Sequence, residues 1–265
     1  MYERSGEQLK AARLTCNPLQ GLDELKAESN LELAYKVQDA FTNVHRSKVV
    51  GYKVGAASDA SQRVVGAKEP FFGVLYASET FKSGAQLRRG DFFEPGMEGE
   101  FAFRIGKDLD AGRAPFSIDD ISNAIDAVLP AIEICDNRFK SWKSVTLAEI
   151  IGDNAFHGAL VIGEPVQDWR RFNLLTHEIG LSFDGKEVGR GPGELILGHP
   201  VKSVLWLANK LAQHGKSLKK GDLVAAGTCT GLHYSTDVRK VSASLGAIGE
   251  VHFSIENHIG SEANA

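Results

Sequence analysis

Apolar residues recur along this chain at two periods, and the period switches where glycine, proline or a capping residue intervenes. Residues 1–28 are polar with scattered apolar positions and read as helical turns. Leu33, Val37, Phe41 and Val44 then share one face of a helix over roughly 30–45. Ser29-Asn30-Leu31-Glu32 opens it as a capping box, with Ser29 accepting from an early N–H while Glu32 reaches back. Val49–Val54, Phe72–Tyr76 and Glu98–Ile105 read as strands, and Phe92–Gly96 as a turn-rich entry to the last of them. Ser117 caps a second helix with Ile118, Ile121, Ile125 and Val128 on its apolar face, which Pro130 ends. Ala131–Cys135 is short, β-branched and strand-like.

The second half is richer in strands. They are expected at 159–162, at 179–183 and 187–188 around the hairpin turn Asp184-Gly185, and at 223–226, 238–245 and 248–255. A helix beginning at Pro200 carries Val201, Val204, Leu205, Ala208 and Leu211 on one side and stops at Gly215. Strand runs broken by glycine turns imply a curved, rolled sheet, mostly antiparallel, in an α+β protein. The expected division is an N-terminal α/β portion, 1–75, and a β-rich core, 76–265, forming one cooperative unit.

Composition narrows the function. With 265 residues, 43% of them hydrophobic, the chain can bury the core of one large domain and is not disordered. No stretch reaches the roughly 18 apolar residues of a membrane span, and the charged start lacks a signal-peptide core, so a cytoplasmic enzyme without a membrane partner is expected. The net charge of −4 has mixed signs, and the densest basic run, Lys216–Lys220, lies between glycines as a solvated turn. Nucleic acid is therefore not an expected partner. Cys16, Cys135 and Cys229 have no ligand or redox spacing and read as buried free thiols. The eight histidines share no ligand spacing, and neither a G-x-S-x-G elbow nor an H-E-x-x-H motif is present. Gly189-Arg190-Gly191-Pro192-Gly193 matches no phosphate-binding pattern and reads as a loop or lid.

The sharpest chemistry lies in Glu98-Gly99-Glu100. Residues two apart in a strand point the same way, so both carboxylates share one face: a cation site, or a solvated strand face. Glu133 lies between Ile132 and Ile134 in a segment apolar enough to be interior, where a carboxylate needs a cation, a donor or a proton. The three would make an all-oxygen site suited to Mg2+ or Mn2+; the alternative is an ion pair of Glu133 with Arg138 or Lys53. Lys53 sits in an apolar strand between Gly51 and Gly55, which permit close backbone approach. It would anchor an anion or, with a lowered pKa, move protons; otherwise it snorkels to the surface. Asp136-Asn137-Arg138 and Asp153-Asn154 follow apolar strands as orienting groups or as turn and cap residues. Gly227-Thr228-Cys229-Thr230-Gly231 offers N–H and hydroxyl groups to a carboxylate, or is a tight strand exit.

Together these segments resemble the 2-keto-4-pentenoate hydratase and 4-oxalocrotonate decarboxylase branch of the fumarylacetoacetate hydrolase family. The resemblance is carried by Gly51-Tyr52-Lys53-Val54-Gly55, Phe72-Gly73-Val74-Leu75, Met97–Phe103, Pro130–Asp136, Gly152-Asp153-Asn154-Ala155, Leu197–Pro200, Trp206–Asn209 and Gly221–Val224, in family order over roughly 30–255. It implies a β-rich mixed roll with a smaller N-terminal α/β portion, usually in homo-oligomers, and association with a related pathway enzyme. It implies a divalent cation on Glu98, Glu100 and Glu133, catalysis by Lys53 with Asp153 as acid–base or orienting group, and substrate contacts from Asp136, Thr228 and Thr230. The implied activity is hydration of a 2-hydroxydienoate or 2-oxoenoate from aromatic-compound catabolism. Decarboxylation, acylpyruvate-type carbon–carbon hydrolysis and an inactive accessory role are the alternatives.

Three departures bear on the substrate. Phe71 stands where family hydratases carry an Asp, pointing to altered hydration chemistry or a bulkier apolar substrate. Ala56-Ala57 replaces Leu-Thr, and Phe156-His157 replaces small polar residues, which narrows the pocket or brings in a group that titrates near neutrality.

Overall fold

The computed structural model describes residues 2–26 and 30–256. In chain order the elements are α1 (Tyr2–Thr15), α2 (Asp23–Lys26), α3 (Leu31–His45), β1 (Val49–Gly55), α4 (Asp59–Val65), β2 (Phe71–Tyr76), β3 (Thr80–Lys82), β4 (Ala85–Arg88), β5 (Gly96–Ile105) and α5 (Ile118–Ala124). They continue with β6 (Ile125–Cys135), α6 (Leu147–Gly152), β7 (His157–Ile162), β8 (Glu178–Phe183), β9 (Lys186–Pro192), α7 (Pro200–Gln213), β10 (Leu223–Thr228), β11 (His233–Tyr234), β12 (Lys240–Ser244) and β13 (Glu250–Glu256).

An eight-stranded sheet runs β2-β1-β10-β5-β6-β7-β3 with β11 on β5, and a five-stranded sheet runs β4-β13-β12-β8-β9. Pairing is antiparallel except for β1–β10, β3–β7 and β4–β13. The long central pair β5–β6 packs against β8, β12 and β13 of the smaller sheet. On the N-terminal side α1 packs on α3, and α3 on α6, over Phe72 and Val74 of β2. Residue 75 lies inside β2, so portions 1–75 and 76–265 share one sheet. Among the described residues no helix is long and apolar enough to cross a membrane.

Two glycines fix the sheet next to Lys53. A Cβ on Gly51 would lie 1.9 Å from the carbonyl oxygen of Leu223, so the β1–β10 approach requires its absence. A Cβ on Gly55 would lie 2.4 Å from the ring of Phe71, which fills that space instead.

Several local expectations are corrected. Ser29 lies outside the described residues, and α3 is capped by Asn30, whose side chain accepts from the N–H of Leu33. Pro130 does not end a helix: α5 stops at Ala124, and Ile125, Val128 and Pro130 belong to β6. Pro130 is tolerated there because the β7 ladder ends at Ala131↔Ile162 and Pro130 itself only accepts, from the N–H of Gly163, before the Val128↔Val166 bridge, so no ladder bond needs its missing N–H. The segment 189–193 is no lid; it is mostly β9, paired along β8. Cys16 is exposed rather than buried.

Candidate functional site

Four strands bring the chemistry together. β5 and β6 pair in a register that places Glu98 opposite Glu133 and Gly96 opposite Cys135. β1 lies two strands away, across β10, and its Lys53 Nζ stands 3.3 Å from Glu133 Oε1. Nδ1 of His157, the first residue of β7, stands 3.1 Å from that same oxygen. Lys53, Glu100, Glu133 and His157 are all buried, and Glu98 is half-buried. The Cys135 thiol donates to Glu98 Oε2 at 3.7 Å. One ligand atom from each of Glu98, Glu133 and Cys135 lies within 4.8 Å of the others. Glu100 is turned toward β10, where its Oε2 accepts the N–H of Gly227 at 3.0 Å.

Charge and solvation decide what this cluster lacks. Glu100 Oε1 and Glu133 Oε2 are buried and have no hydrogen-bond partner among the described residues. Burial and the charge of Glu133 push Glu98 up to about 7, against the pull of Lys53. Burial, then Glu133 and Glu98, push Glu100 well above the usual carboxylate range. Burial also works against ionisation of Glu133, but Lys53 and His157 outweigh it and hold its pKa low. For Lys53, burial favours the neutral amine, yet Glu133, Cys135, Glu98 and Glu100 together raise its pKa. These neighbours favour the charged amine. Three carboxylates face one ammonium, and two carboxylate oxygens are orphaned in the interior. A divalent cation fits that deficit.

Lys53 and Glu98 lie in the wall of a cavity of about 1000 Å3, with Cys135, Phe71 and Thr228 beside them. The backbone around it is strained. Of the eight non-glycine residues with positive φ among the described residues, Ala56, Ala155, Phe156 and Leu197 line this cavity. Such conformations are costly and concentrate at functional sites. Asn154, Ala155 and Phe156 are consecutive, and the Asn154 side chain holds the turn by accepting from the N–H of Val74 and donating to its carbonyl.

Of the other sequence candidates, Asp153, Asp136 and Thr230 lie away from the cavity wall. Asp153 is fully buried and does not line the cavity; it accepts from the backbone N–H and Nε of Arg138, whose Nη1 donates to the carbonyl of His157. Asp136 accepts the N–H groups of Phe93 and Glu94, anchoring the entry to β5. Thr230 does not line the cavity; its hydroxyl accepts the N–H of Gly99 and ties the loop to β5, while Thr228 Oγ1 accepts from the N–H groups of Thr230 and Gly231. Sequence reasoning read Cys135 only as a buried free thiol, whereas it is half-buried at Glu98, and it passed over Glu79, which pairs with Arg13 and His45 and lies 3.9 Å from His157.

The chain is similar to proteins of known name along most of its length. It is 34% identical over 206 residues to the TodF product hydratase of Pseudomonas putida F1, covering 77% of this chain and 76% of that one. It is 30% identical over 231 residues to the 2-hydroxyhexa-2,4-dienoate hydratase of Comamonas testosteroni, covering 85% and 86%. The fold superposes on 4-oxalocrotonate decarboxylase from Pseudomonas putida G7, complexed with magnesium and adipate, with a TM-score of 0.89 at 24% identity over 96% and 97% of the chains. The profile described as fumarylacetoacetate (FAA) hydrolase C-terminal matches residues 45–263, and the chain belongs to that family.

Proposed function

We propose that this chain is a divalent-cation-dependent hydratase that converts a 2-hydroxy-2,4-dienoate to a 4-hydroxy-2-oxo acid in aromatic-compound catabolism. The observation that carries the reading is the Glu98–Glu133 register pair, with Glu100 beside it and Lys53 bridging to the cavity. The names of the sequence relatives, hydratases of dienoates and pentenoates, supply the substrate class.

Glu98, Glu100 and Glu133 would hold the cation, with magnesium or manganese as the ions suited to oxygen ligands. When bound, it supplies Lewis acidity to a carboxylate and the adjacent C2 oxygen of the substrate. The Lys53 ammonium, protonated beside Glu133, offers positive charge to the substrate carboxylate at the inner end of the cavity. Net hydration moves the proton of the 2-hydroxyl to C5 of the dienoate, leaving the 2-oxo group, and one water then supplies hydroxide at C4 and a proton at C3, so no carbon is lost. Self-association and association with a related pathway enzyme belong to the same proposal and are read by sedimentation.

The test is product analysis by NMR with metal-stripped and Mg2+- or Mn2+-loaded enzyme. Cation-dependent formation of the 4-hydroxy-2-oxo acid supports the reading. Release of CO2 from a 2-oxo-enedioate would replace it with a decarboxylase, cleavage into two acids with a hydrolase. Stimulation of a partner without turnover would leave an accessory protein.

A further inference from the structure

The cavity is larger and more apolar than the proposed chemistry needs. Its volume of about 1000 Å3 lies at the upper end of pockets for drug-sized ligands and far exceeds a pentadienoate. The groups of the proposed chemistry, Lys53, Glu98, Cys135 and Thr228, lie at the less exposed end. Further out the wall includes Val64, Phe71, Ile150, Phe156, Leu195 and Leu232. Three of these, Val64, Leu195 and Leu232, are among the few large hydrophobic side chains that the described residues leave exposed. An apolar rim continuous with a polar inner end matches an amphiphilic ligand, acid inward and hydrocarbon outward.

The charges at the outer end exclude a second acid group there. Asp59, Arg63 and Glu194 line that part, two anions against one exposed cation. Lys53, the other cation in the wall, is buried at the opposite end, where the reading above gives it to the reacting carboxylate. A distal carboxylate would meet net negative charge with one exposed partner, whereas an alkyl or aryl group would cover Phe71, Phe156 and the three exposed aliphatic side chains.

We propose that the preferred substrate carries a bulky uncharged alkyl or aryl group at its far end, in place of a hydrogen, a methyl or a carboxylate. This rests on the hydratase reading and specifies its substrate class. The cavity, not the cation site, then sets specificity.

Two measurements test it. The first is kcat/KM for 2-hydroxy-2,4-dienoates bearing hydrogen, methyl, butyl, phenyl or carboxylate at C5. The expected result is a rise of about two- to fourfold for each buried methylene, with the carboxylate the poorest. A flat series, or preference for hydrogen or carboxylate, overturns the proposal. The second is calorimetric binding of 2-oxopentanoate, 2-oxononanoate and 2-oxoadipate to the Mn2+-loaded protein, which needs no turnover. Tighter binding of 2-oxononanoate without hydration of any dienoate supports the cavity assignment and removes the hydratase reading. Turnover with length-independent binding does the reverse, and failure of both overturns both. Val64→Asp and Leu232→Ser, at exposed positions, should lower the butyl-to-hydrogen ratio of kcat/KM at least fivefold. If Val64→Asp instead dissociates an oligomer and leaves that ratio unchanged, the rim binds a second copy of the chain and the proposal fails.

Discussion

The imidazole of His157 and the carboxylate of Glu133 meet at 3.1 Å, Nδ1 to Oε1, with neither side chain reaching solvent. Lys53 approaches the same oxygen at 3.3 Å. Two donors on Oε1 fix the orientation of the carboxylate and leave Oε2 as the atom without a partner. His157 therefore acts on the proposed cation through Glu133, as ring donors orient ligating carboxylates in metal sites. His157→Ala should weaken Mn2+ binding by about tenfold and lower stability by roughly 1–3 kcal/mol, because Oε1 keeps only one donor. His157→Gln, which retains an N–H, should recover part of the affinity. Calorimetric titration with Mn2+ and urea unfolding check both, and unchanged affinity in His157→Ala would remove the positioning role.

Cation affinity should depend on pH in a direction set by Glu98. Burial and the charge of Glu133 push its carboxyl up to about 7, with Lys53 opposing. Below that value Glu98 holds a proton that an incoming cation must displace; above it the carboxylate is already free. Affinity should thus fall as pH drops below about 7, by up to about tenfold per unit for the proton on Glu98, and keep rising above 7 as Glu100, whose carboxyl burial and the charge of Glu133 push well above the usual range, gives up its own proton. Mn2+ titrations in buffers of different ionisation enthalpy count the released proton directly. Equal affinity across the range would mean that Glu98 does not bind the cation.

Asn154 carries the strained turn beside the cavity. Its side chain makes two hydrogen bonds to the backbone of Val74, and its φ of 52° belongs to a region that Asn tolerates better than Ala. Asn154→Ala should lose roughly 2–4 kcal/mol of stability, combining a buried backbone N–H left unsatisfied with added backbone strain. It should also reduce turnover, because Phe156 two residues on lines the cavity. Thermal unfolding and steady-state kinetics report the two effects separately.

What the sequence made legible follows from period and chemistry. Glu98 and Glu100 fall on one face because β5 alternates, and Glu133 was conspicuous as a charge in an apolar run. Pairing these two segments needs the β5–β6 register, which no single segment encodes. Ile121, Ile125 and Val128 satisfy helical spacing, yet Ile125 and Val128 lie in β6, because packing between two sheets outweighed the local pattern. The left-handed run Asn154-Ala155-Phe156 has no glycine to announce it. Asp153, polar and next to that run, reads from sequence alone as an acid–base or an orienting group, because its contact with Arg138 exists only in the fold.

That partnership yields the sharpest separation between structure and chemistry. Asp153 Oδ1 lies 2.5 Å from Arg138 Nε, and Oδ2 accepts the Arg138 backbone N–H at 2.9 Å, in a site closed to solvent and away from the cavity wall. Through Arg138 Nη1 the pair also holds the carbonyl of His157. Asp153→Asn keeps the shape but leaves a buried guanidinium without its carboxylate, which should cost about 3–5 kcal/mol. Urea unfolding should show that loss. The folded fraction should keep the wild-type pH profile of kcat/KM, since no proton transfer to substrate passes through this side chain. Loss of one limb of the profile, with stability preserved, would return Asp153 to the reaction as an acid or base.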